Sequence, residues 1–247
     1  MLLRSLTSGL RLLDLSQFAL ARGRCPVCGP TLLVKLKDRP AGVRCLRCRT
    51  GLTSAALIAA VKREVPDLRT RHVYELSSRG AVFRYLRDHA GRLSYSEYFD
   101  GAARGETRRG VRCEDVQSLT WPDASFDVCT STEVFEHVPN DRRGFREIWR
   151  VLKPGGLLAF TVPLNLNART RERARFAQGK LEHLLPPEYH GDHLRGAGRV
   201  LAFRNYGTDI VERLREAGFA DAVFRRFPSH DGWFGFHRHA VTAHKPF

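Results

Sequence analysis

The sequence lacks any run of about 18 consecutive apolar residues, the length that a membrane-spanning helix needs. We therefore expect no stable membrane insertion. The leucine-containing N-terminal segment is not followed by a small-residue cleavage site, so it is a poor signal peptide and we expect a cytoplasmic protein. Lysine is also scarce, because only six of the 41 basic residues are lysine. The net charge of +15 therefore reflects an arginine-rich composition at least as well as it indicates a nucleic-acid partner.

The composition is that of a folded protein, with 43% hydrophobic and 27% charged residues in a chain of 247. This length corresponds to one or two domains. Apolar side chains near helical spacing predict an amphipathic helix over residues 1–22, which either docks on the body or is disordered. These apolar side chains are Leu2, Leu3, Leu6, Leu10, Leu13 and Phe18.

Four of the six cysteines form two Cys-x-x-Cys pairs, Cys25 with Cys28 and Cys45 with Cys48. Two residues inside each pair let one tight turn direct both thiolates at one ion, and the intervening residues suit a short hairpin. This spacing predicts a zinc ribbon over residues 23–51 with one structural zinc ion. The alternative is that the two pairs arise by chance or form disulfides instead of binding zinc. Cys113 and Cys129 stand alone and are expected to be buried apolar residues.

The predicted ribbon is basic, with seven lysine or arginine residues against Asp38 between residues 24 and 49. A nucleic-acid surface is one explanation, and a solvated surface is the other, which the lack of interleaved aromatic residues favours. The segment 52–70 is predicted to be a linker helix that ends before Pro66.

From residue 71 to residue 247 the pattern alternates strands and helices. It predicts an α/β fold with a mostly parallel seven-stranded sheet and helices on both faces. The predicted strands are 72–76, 92–97, 110–113, 126–131, 157–162, 222–227 and 239–245, and the predicted helices are 80–90, 141–152 and 207–217. Ligands of such sheets bind beyond the carboxyl ends of the strands.

Two segments carry a family resemblance. The run Glu114-Asp-Val-Gln-Ser-Leu-Thr-Trp-Pro-Asp-Ala-Ser-Phe-Asp-Val-Cys-Thr-Ser-Thr-Glu-Val-Phe-Glu-His-Val-Pro139 is followed by Arg150-Val-Leu-Lys-Pro-Gly-Gly-Leu-Leu-Ala-Phe-Thr-Val-Pro163. Both resemble class I S-adenosylmethionine-dependent methyltransferases, in particular type 11-like members. The resemblance covers about residues 72–245 and implies a Rossmann-like sheet that binds S-adenosylmethionine.

The resemblance implies roles for residues at the strand ends. Glu97 matches the family's acidic residue that accepts hydrogen bonds from both ribose hydroxyls. Asp115 matches the residue that faces the adenine amino group, with the Val116 backbone amide beside the ring. Thr130, Ser131 and Thr132 close the fourth predicted strand and would line the pocket near the sulfonium.

The first loop departs from the family pattern. The family's acidic residue is followed by three alternating glycines, whereas Glu75 is followed by Ser77, Arg79 and Ala81 at those positions, and only the adjacent Gly80 is a glycine. Either the small Ser77 and Ala81 still permit binding, with Ser78 capping the next helix and Arg79 pairing with the cofactor carboxylate, or the site has decayed. The retained Glu97 and Asp115 favour a working site.

The long segment 164–205 is predicted to cover the substrate, because connections of this length are usually functional or disordered. His190 or His137 could act as a base for a hydroxyl acceptor, with Asp192 as an orienting carboxylate. The alternatives are a metal site of His190, Asp192 and His193, or solvated loop residues.

These features predict a methyltransferase with a small-molecule or saccharide acceptor. One alternative is an RNA methyltransferase that uses the basic ribbon, and another is a non-catalytic scaffold. The sequence does not indicate the acceptor, the methylated atom or the oligomeric state.

Overall fold

The structure, a computed structural model, describes residues 15–192, 198–228 and 232–247. Its α-helices are α1 (Leu52–Glu64), α2 (Gly80–His89), α3 (Asp141–Val151) and α4 (Ile210–Glu216). Its strands are β1 (Ala19–Cys25), β2 (Gly29–Lys35), β3 (Val43–Cys45), β4 (His72–Glu75), β5 (Arg92–Glu97), β6 (Thr107–Arg108), β7 (Val111–Cys113), β8 (Phe126–Thr132), β9 (Leu152–Thr161), β10 (Arg171–Glu172), β11 (Ala174–Ala177), β12 (Lys180–His183), β13 (Tyr189–Asp192), β14 (Gly198–Leu201), β15 (Arg204–Asn205), β16 (Val223–Phe227) and β17 (Arg238–His244). None of the described helices is both long and apolar enough to cross a membrane.

The central sheet has eight strands in the order β16-β17-β9-β8-β4-β5-β7-β6 among the described residues. Strands β9, β8, β4, β5 and β7 run parallel, whereas β17 is antiparallel to β9 and β6 is antiparallel to β7. The predicted α/β fold is thus confirmed. The short edge strand β6 was not predicted, because two residues carry no periodic signal. Strand order reverses between β4 and β8, which is where such sheets bind ligands.

Two apolar layers cover the sheet. Alternating side chains divide between the faces, as the two-residue period of a strand requires. On one face Tyr74 and Cys129 pack with α3 and α4, and on the other Val73 and Val128 pack with α1 and α2. The predicted linker helix is therefore part of the core that covers the central sheet: Leu57, Ile58 and Val61 are at most 1% exposed.

The N-terminal ribbon is a three-stranded antiparallel sheet of β1, β2 and β3. The prediction of a helix over residues 1–22 is wrong at its C-terminal end, because Ala19–Cys25 form β1 and pair with β2. Residues 1–14 lie outside the described residues. The ribbon does not have a core of its own. Leu33, Val43 and Cys45 pack with Leu52 and Ala55 of α1 and with Trp233, which is 2% exposed.

The segment 164–205 folds into three antiparallel two-stranded ribbons, β10–β15, β11–β12 and β13–β14, within its described part. It is held to the body by Arg204, a 2% exposed side chain. The Arg204 guanidinium donates to the backbone oxygens of Phe135, Val138 and Pro139. These three oxygens belong to the turn that follows β8, so the segment and this turn form one unit.

Candidate functional site

A cavity of about 410 Å³ lies at the carboxyl ends of β4, β5, β7 and β8. This volume lies within the range of small-ligand sites. The body contributes lining residues such as Ser77, Glu97, Asp115 and Val116 from the strand ends. The segment 164–205 closes the other side with Phe176, Gly191, Val200 and Phe203.

Glu97 ends β5 and is tied to the first loop. Its Oε1 accepts from the Ser77 hydroxyl at 3.1 Å, the Ser78 amide at 2.7 Å and the Ser78 hydroxyl at 2.9 Å. All three bonds reach Oε1, so they leave Oε2 available for a ligand. Where the family has flexible glycines, this chain uses two serines to position the carboxylate. The departure from the glycine pattern is therefore compatible with an ordered site.

Asp115 follows β7 and lines the same cavity. Its Oδ1 accepts from the Gln117 amide at 2.9 Å, and the Gln117 side chain contacts both carboxylate oxygens at 3.1 and 3.2 Å. These bonds fix the direction of the carboxylate. The adjacent Val116 is 8% exposed and presents an apolar wall beside it.

Five of the predicted cofactor residues do not line the cavity. Thr130 and Ser131 are 0% exposed because β8 continues to Thr132, so Thr132 and Glu133 line the cavity instead. Arg79 is exposed at the start of α2, next to Gly80, whose φ is +89°. Both lie outside the lining, so an Arg79 pairing with the cofactor carboxylate needs a side-chain rearrangement.

Glu75 is also outside the lining, because it ends β4 inside the protein at 1% exposure. The Thr130 hydroxyl donates to its carboxylate. Burial raises the pKa of Glu75 to about 8, and the nearby Glu97 carboxylate adds to this effect. Glu75 therefore supports the strand end from within and is not placed to touch a ligand.

Glu75→Gln is expected to flatten the pH dependence of stability. Between about pH 4.5 and pH 8 folded Glu75 holds a proton that the unfolded chain releases, so stability falls as pH rises, by at most about 1.4 kcal/mol per pH unit. The variant lacks this contribution. Its free energy of unfolding, relative to that of the wild type, should therefore be higher at pH 8 than at pH 5. Urea unfolding at both pH values measures this. Exposed Glu106→Gln is the control, and a wild-type-minus-variant difference that does not change with pH would contradict the expectation.

The two predicted base candidates meet at one buried carboxylate. His137 lines the cavity, and its ring lies 4.8 Å from the His190 ring. Glu136 Oε1 is 3.6 Å from His137 Nε2 and 3.7 Å from His190 Nδ1. Gly191, next to His190, also lines the cavity. The Asp192 side chain and the whole of His193 lie outside the described residues.

Each histidine is also bonded on its other ring nitrogen. His137 Nδ1 lies 2.8 Å from the Leu201 backbone oxygen and must donate to it, and His190 Nε2 lies 3.0 Å from Glu188 Oε1. Burial raises the pKa of Glu136 to about 7. The carboxylates of Glu136 and, to a smaller extent, Glu188 raise the pKa of His190 to about 9.

The cavity is acidic although the protein is basic. Its lining carries five carboxylates and, within the described part of the chain, no lysine or arginine; the carboxylates are Glu97, Asp100, Glu114, Asp115 and Glu133. Arg112 pairs with Glu114 and Arg238 pairs with Glu133, each at a contact shorter than 3 Å. The other three carboxylates favour a ligand that carries positive charge or hydrogen-bond donors.

The four cysteines of the ribbon converge as predicted. Their sulfur atoms all lie within 4.8 Å of one another, and Cys25–Cys48 and Cys28–Cys45 are each 3.5 Å apart. Thiolates bound to one zinc ion at about 2.3 Å lie roughly 3.8 Å apart, so the set fits a tetrahedral ion with small adjustments. Burial raises the pKa of Cys28 to about 11.

Sequence reasoning placed Thr132 at this end of β8, where it does line the cavity, but assigned no roles to Glu133 and Glu136. A signal was available, because Glu133, Glu136 and His137 follow a buried strand at the edge where ligands bind. The meeting of Glu136 with His190, however, depends on how the segment 164–205 folds back.

Part of the chain is similar to known methyltransferases. Residues 77–160 match the family described as "Methyltransferase domain". The chain is 36% identical over 90 residues to a 27-O-demethylrifamycin SV methyltransferase of Amycolatopsis mediterranei. The aligned residues make up 34% of this chain and 33% of that protein. It is 38% identical over 58 residues to a ubiquinone biosynthesis O-methyltransferase of Coxiella burnetii, which covers 23% of this chain and 25% of the other.

Among solved structures, an S-adenosylmethionine-dependent methyltransferase from Mesorhizobium loti is similar with a TM-score of 0.52 at 20% identity, covering 79% of this chain and 100% of that one. This likeness shows the fold. The chain spans a third or less of the curated relatives named above. The family match covers residues 77–160, and the likeness to the solved structure shows that the chain has the class I methyltransferase fold.

Proposed function

We propose that the protein transfers the methyl group of S-adenosylmethionine to a hydroxyl group of a small, largely apolar acceptor. The observation that carries this proposal is the acidic cavity at the strand ends, with Glu97 and Asp115 on its wall. The cofactor supplies an electrophilic methyl group on a positively charged sulfur, which an acidic cavity attracts. Glu97 would accept hydrogen bonds from the ribose hydroxyls, and Asp115 would accept one from the adenine amino group.

The acceptor would lie under the segment 164–205. This side of the cavity is apolar, with Val134, Val138, Phe176, Val200 and Phe203 in its lining. Such a wall suits an aromatic or aliphatic acceptor better than a saccharide, whose hydroxyls need polar partners. The two curated relatives are named for 27-O-demethylrifamycin SV and for ubiquinone biosynthesis. An RNA acceptor is less well supported, because no described lysine or arginine lines the cavity.

Methyl transfer breaks the S–CH₃ bond and forms an O–CH₃ bond, and the sulfur keeps the electron pair. The acceptor hydroxyl must lose its proton. His137 lines the cavity and lies against Glu136 and His190, so this cluster is the part of the chain placed to interact with the reacting hydroxyl. Positioning of the two substrates in line supplies much of the acceleration in such a reaction.

We also propose that Cys25, Cys28, Cys45 and Cys48 hold one structural zinc ion. The convergence of four sulfur atoms supports it, and a site with four protein ligands has no open position for catalysis. The ion would stabilise the ribbon against α1 and Trp233.

Glu97→Gln is expected to weaken the binding of S-adenosylhomocysteine about tenfold to a hundredfold. The change removes the charged acceptor of the ribose hydroxyls, a loss of about 1–3 kcal/mol. Calorimetric titration of the wild type and the variant measures this effect. The matched control is Glu106→Gln, an exposed position outside the cavity lining that should bind like the wild type. If the wild type does not bind at millimolar concentration, the non-catalytic scaffold is the correct interpretation.

A further inference from the structure

We propose that Glu136, His137 and His190 bind a divalent metal ion at the acceptor end of the cavity. The ligand atoms would be a Glu136 carboxylate oxygen, His137 Nε2 and His190 Nδ1. One ligand atom from each of the three residues lies within 4.8 Å of the others. This set has no cysteine and is separate from the ribbon.

Glu136 holds a buried carboxylate that lacks hydrogen-bond donors in the described part of the chain. The residue is 1% exposed, and both of its oxygens are buried without a hydrogen-bond donor among the described residues. A buried carboxylate without hydrogen-bond donors costs several kcal/mol, so native proteins nearly always pair such groups closely or use them as metal ligands. Here the nearest ring nitrogens, His137 Nε2 and His190 Nδ1, stay 3.6 and 3.7 Å away. The Glu133 carboxylate lies near enough to add repulsion, which increases the need for positive charge.

The two histidine rings are oriented in the way that is common for metal ligands. Metal-binding histidines commonly donate their second ring N–H to a carbonyl or a carboxylate, which fixes the ring and directs the other nitrogen at the ion. His137 has this arrangement with the Leu201 backbone oxygen, and His190 has it with Glu188. Both outer partners come from the segment 164–205, so the closed segment completes the site.

The distances between the three ligand atoms are close to those of a metal site. Ligands about 2.1 Å from an ion at tetrahedral angles lie roughly 3.4 Å apart. Glu136 Oε1 lies 3.6 Å from His137 Nε2 and 3.7 Å from His190 Nδ1, so small side-chain rotations bring the set onto one ion. Three protein ligands leave open positions for a ligand from the cavity. Two imidazoles and a carboxylate suit divalent first-row ions such as Mn²⁺ or Zn²⁺.

The chemical role of the ion rests on the proposed function, whereas its binding does not. The ion would coordinate the acceptor hydroxyl and lower its pKa, and the proton would pass to solvent. The oxygen would then attack the methyl group from a fixed position.

Mn²⁺ binding to the protein as purified, with its ribbon intact, tests the proposal. Mn²⁺ prefers oxygen and nitrogen ligands and competes poorly for four thiolates. Electron paramagnetic resonance of free Mn²⁺ should show one ion bound per chain. Glu136→Gln and His190→Ala should each weaken binding by at least about tenfold, as expected when a ligand is lost.

The controls are Glu182→Gln and His183→Ala, two exposed residues of the β11–β12 ribbon in the same segment. They should bind Mn²⁺ like the wild type. Wild-type protein that binds no Mn²⁺, or variants that bind it unchanged, would overturn the metal site. Calorimetry with S-adenosylhomocysteine in the presence of EDTA separates the two proposals: cofactor binding without Mn²⁺ binding refutes the metal site alone, and the reverse refutes the proposed function alone.

Discussion

Cys45→Ser is expected to remove the zinc ion and unfold the ribbon. Zinc-binding free energies of small domains reach about 10–16 kcal/mol at neutral pH, and a site that loses one of four thiolates no longer keeps its ion. Cys45 is also 1% exposed and packs with Leu33 and Trp233, so its loss disturbs the apolar cluster as well. Metal analysis should find about one zinc per wild-type chain and almost none in the variant.

The shared cluster gives this experiment a second readout. Trp233 is 2% exposed beneath the ribbon and donates from its indole to the Arg24 backbone oxygen. Loss of the ribbon exposes this indole, so tryptophan emission should shift to longer wavelength. The two sheet layers lie outside this cluster, and we therefore expect the variant to keep S-adenosylhomocysteine binding with a lower melting temperature.

Cys113→Ser is the matched control for Cys45→Ser. Cys113 is equally buried at 1% exposure, but its sulfur lies near the Phe99 and Ala102 backbone oxygens, away from the ribbon. The Cys113→Ser variant should therefore keep its zinc ion. Retention of one zinc per chain by Cys45→Ser would contradict the four-thiolate site.

Arg204→Lys is expected to lower the free energy of unfolding by about 3–5 kcal/mol, the usual loss when a buried charged group loses its partners. The planar guanidinium serves three backbone oxygens of the Phe135–Pro139 turn and also Glu172, which a single ammonium group cannot reach together. At about 2–4 °C per kcal/mol, the melting temperature should fall by roughly 10 °C.

The control for Arg204→Lys is Arg175→Lys. Arg175 pairs with Glu182, but both side chains are largely exposed, at 61% and 46%. An exposed pair of this kind contributes at most about 1 kcal/mol, so this variant should melt close to the wild type. Similar shifts for both variants would show that Arg204 is not the anchor of the segment 164–205.

The central sheet and part of the site were predictable from local pattern. Alternating apolar residues and the helix–turn–strand unit at Arg150–Pro163 indicated a parallel sheet, which places Glu97 and Asp115 at one edge because parallel strands share their carboxyl ends. Ser77, Val116 and His137 also line the cavity, as the predicted positions require. The prediction failed at Thr130 and Ser131, where an error of one residue in the end of β8 decides whether a side chain faces the core or the cavity.

What the sequence alone determined is therefore the fold class, the order of the strands and the spacing of the four cysteines, since each depends on residues close together in the chain. Only the tertiary structure decided how distant segments meet. It packs Trp233 beneath the ribbon and makes α1 part of the core. It also brings His190 against Glu136 and His137, across more than fifty positions. Such contacts depend on how the segment 164–205 folds back and on which buried charges lack partners, and local periodicity carries no information about either.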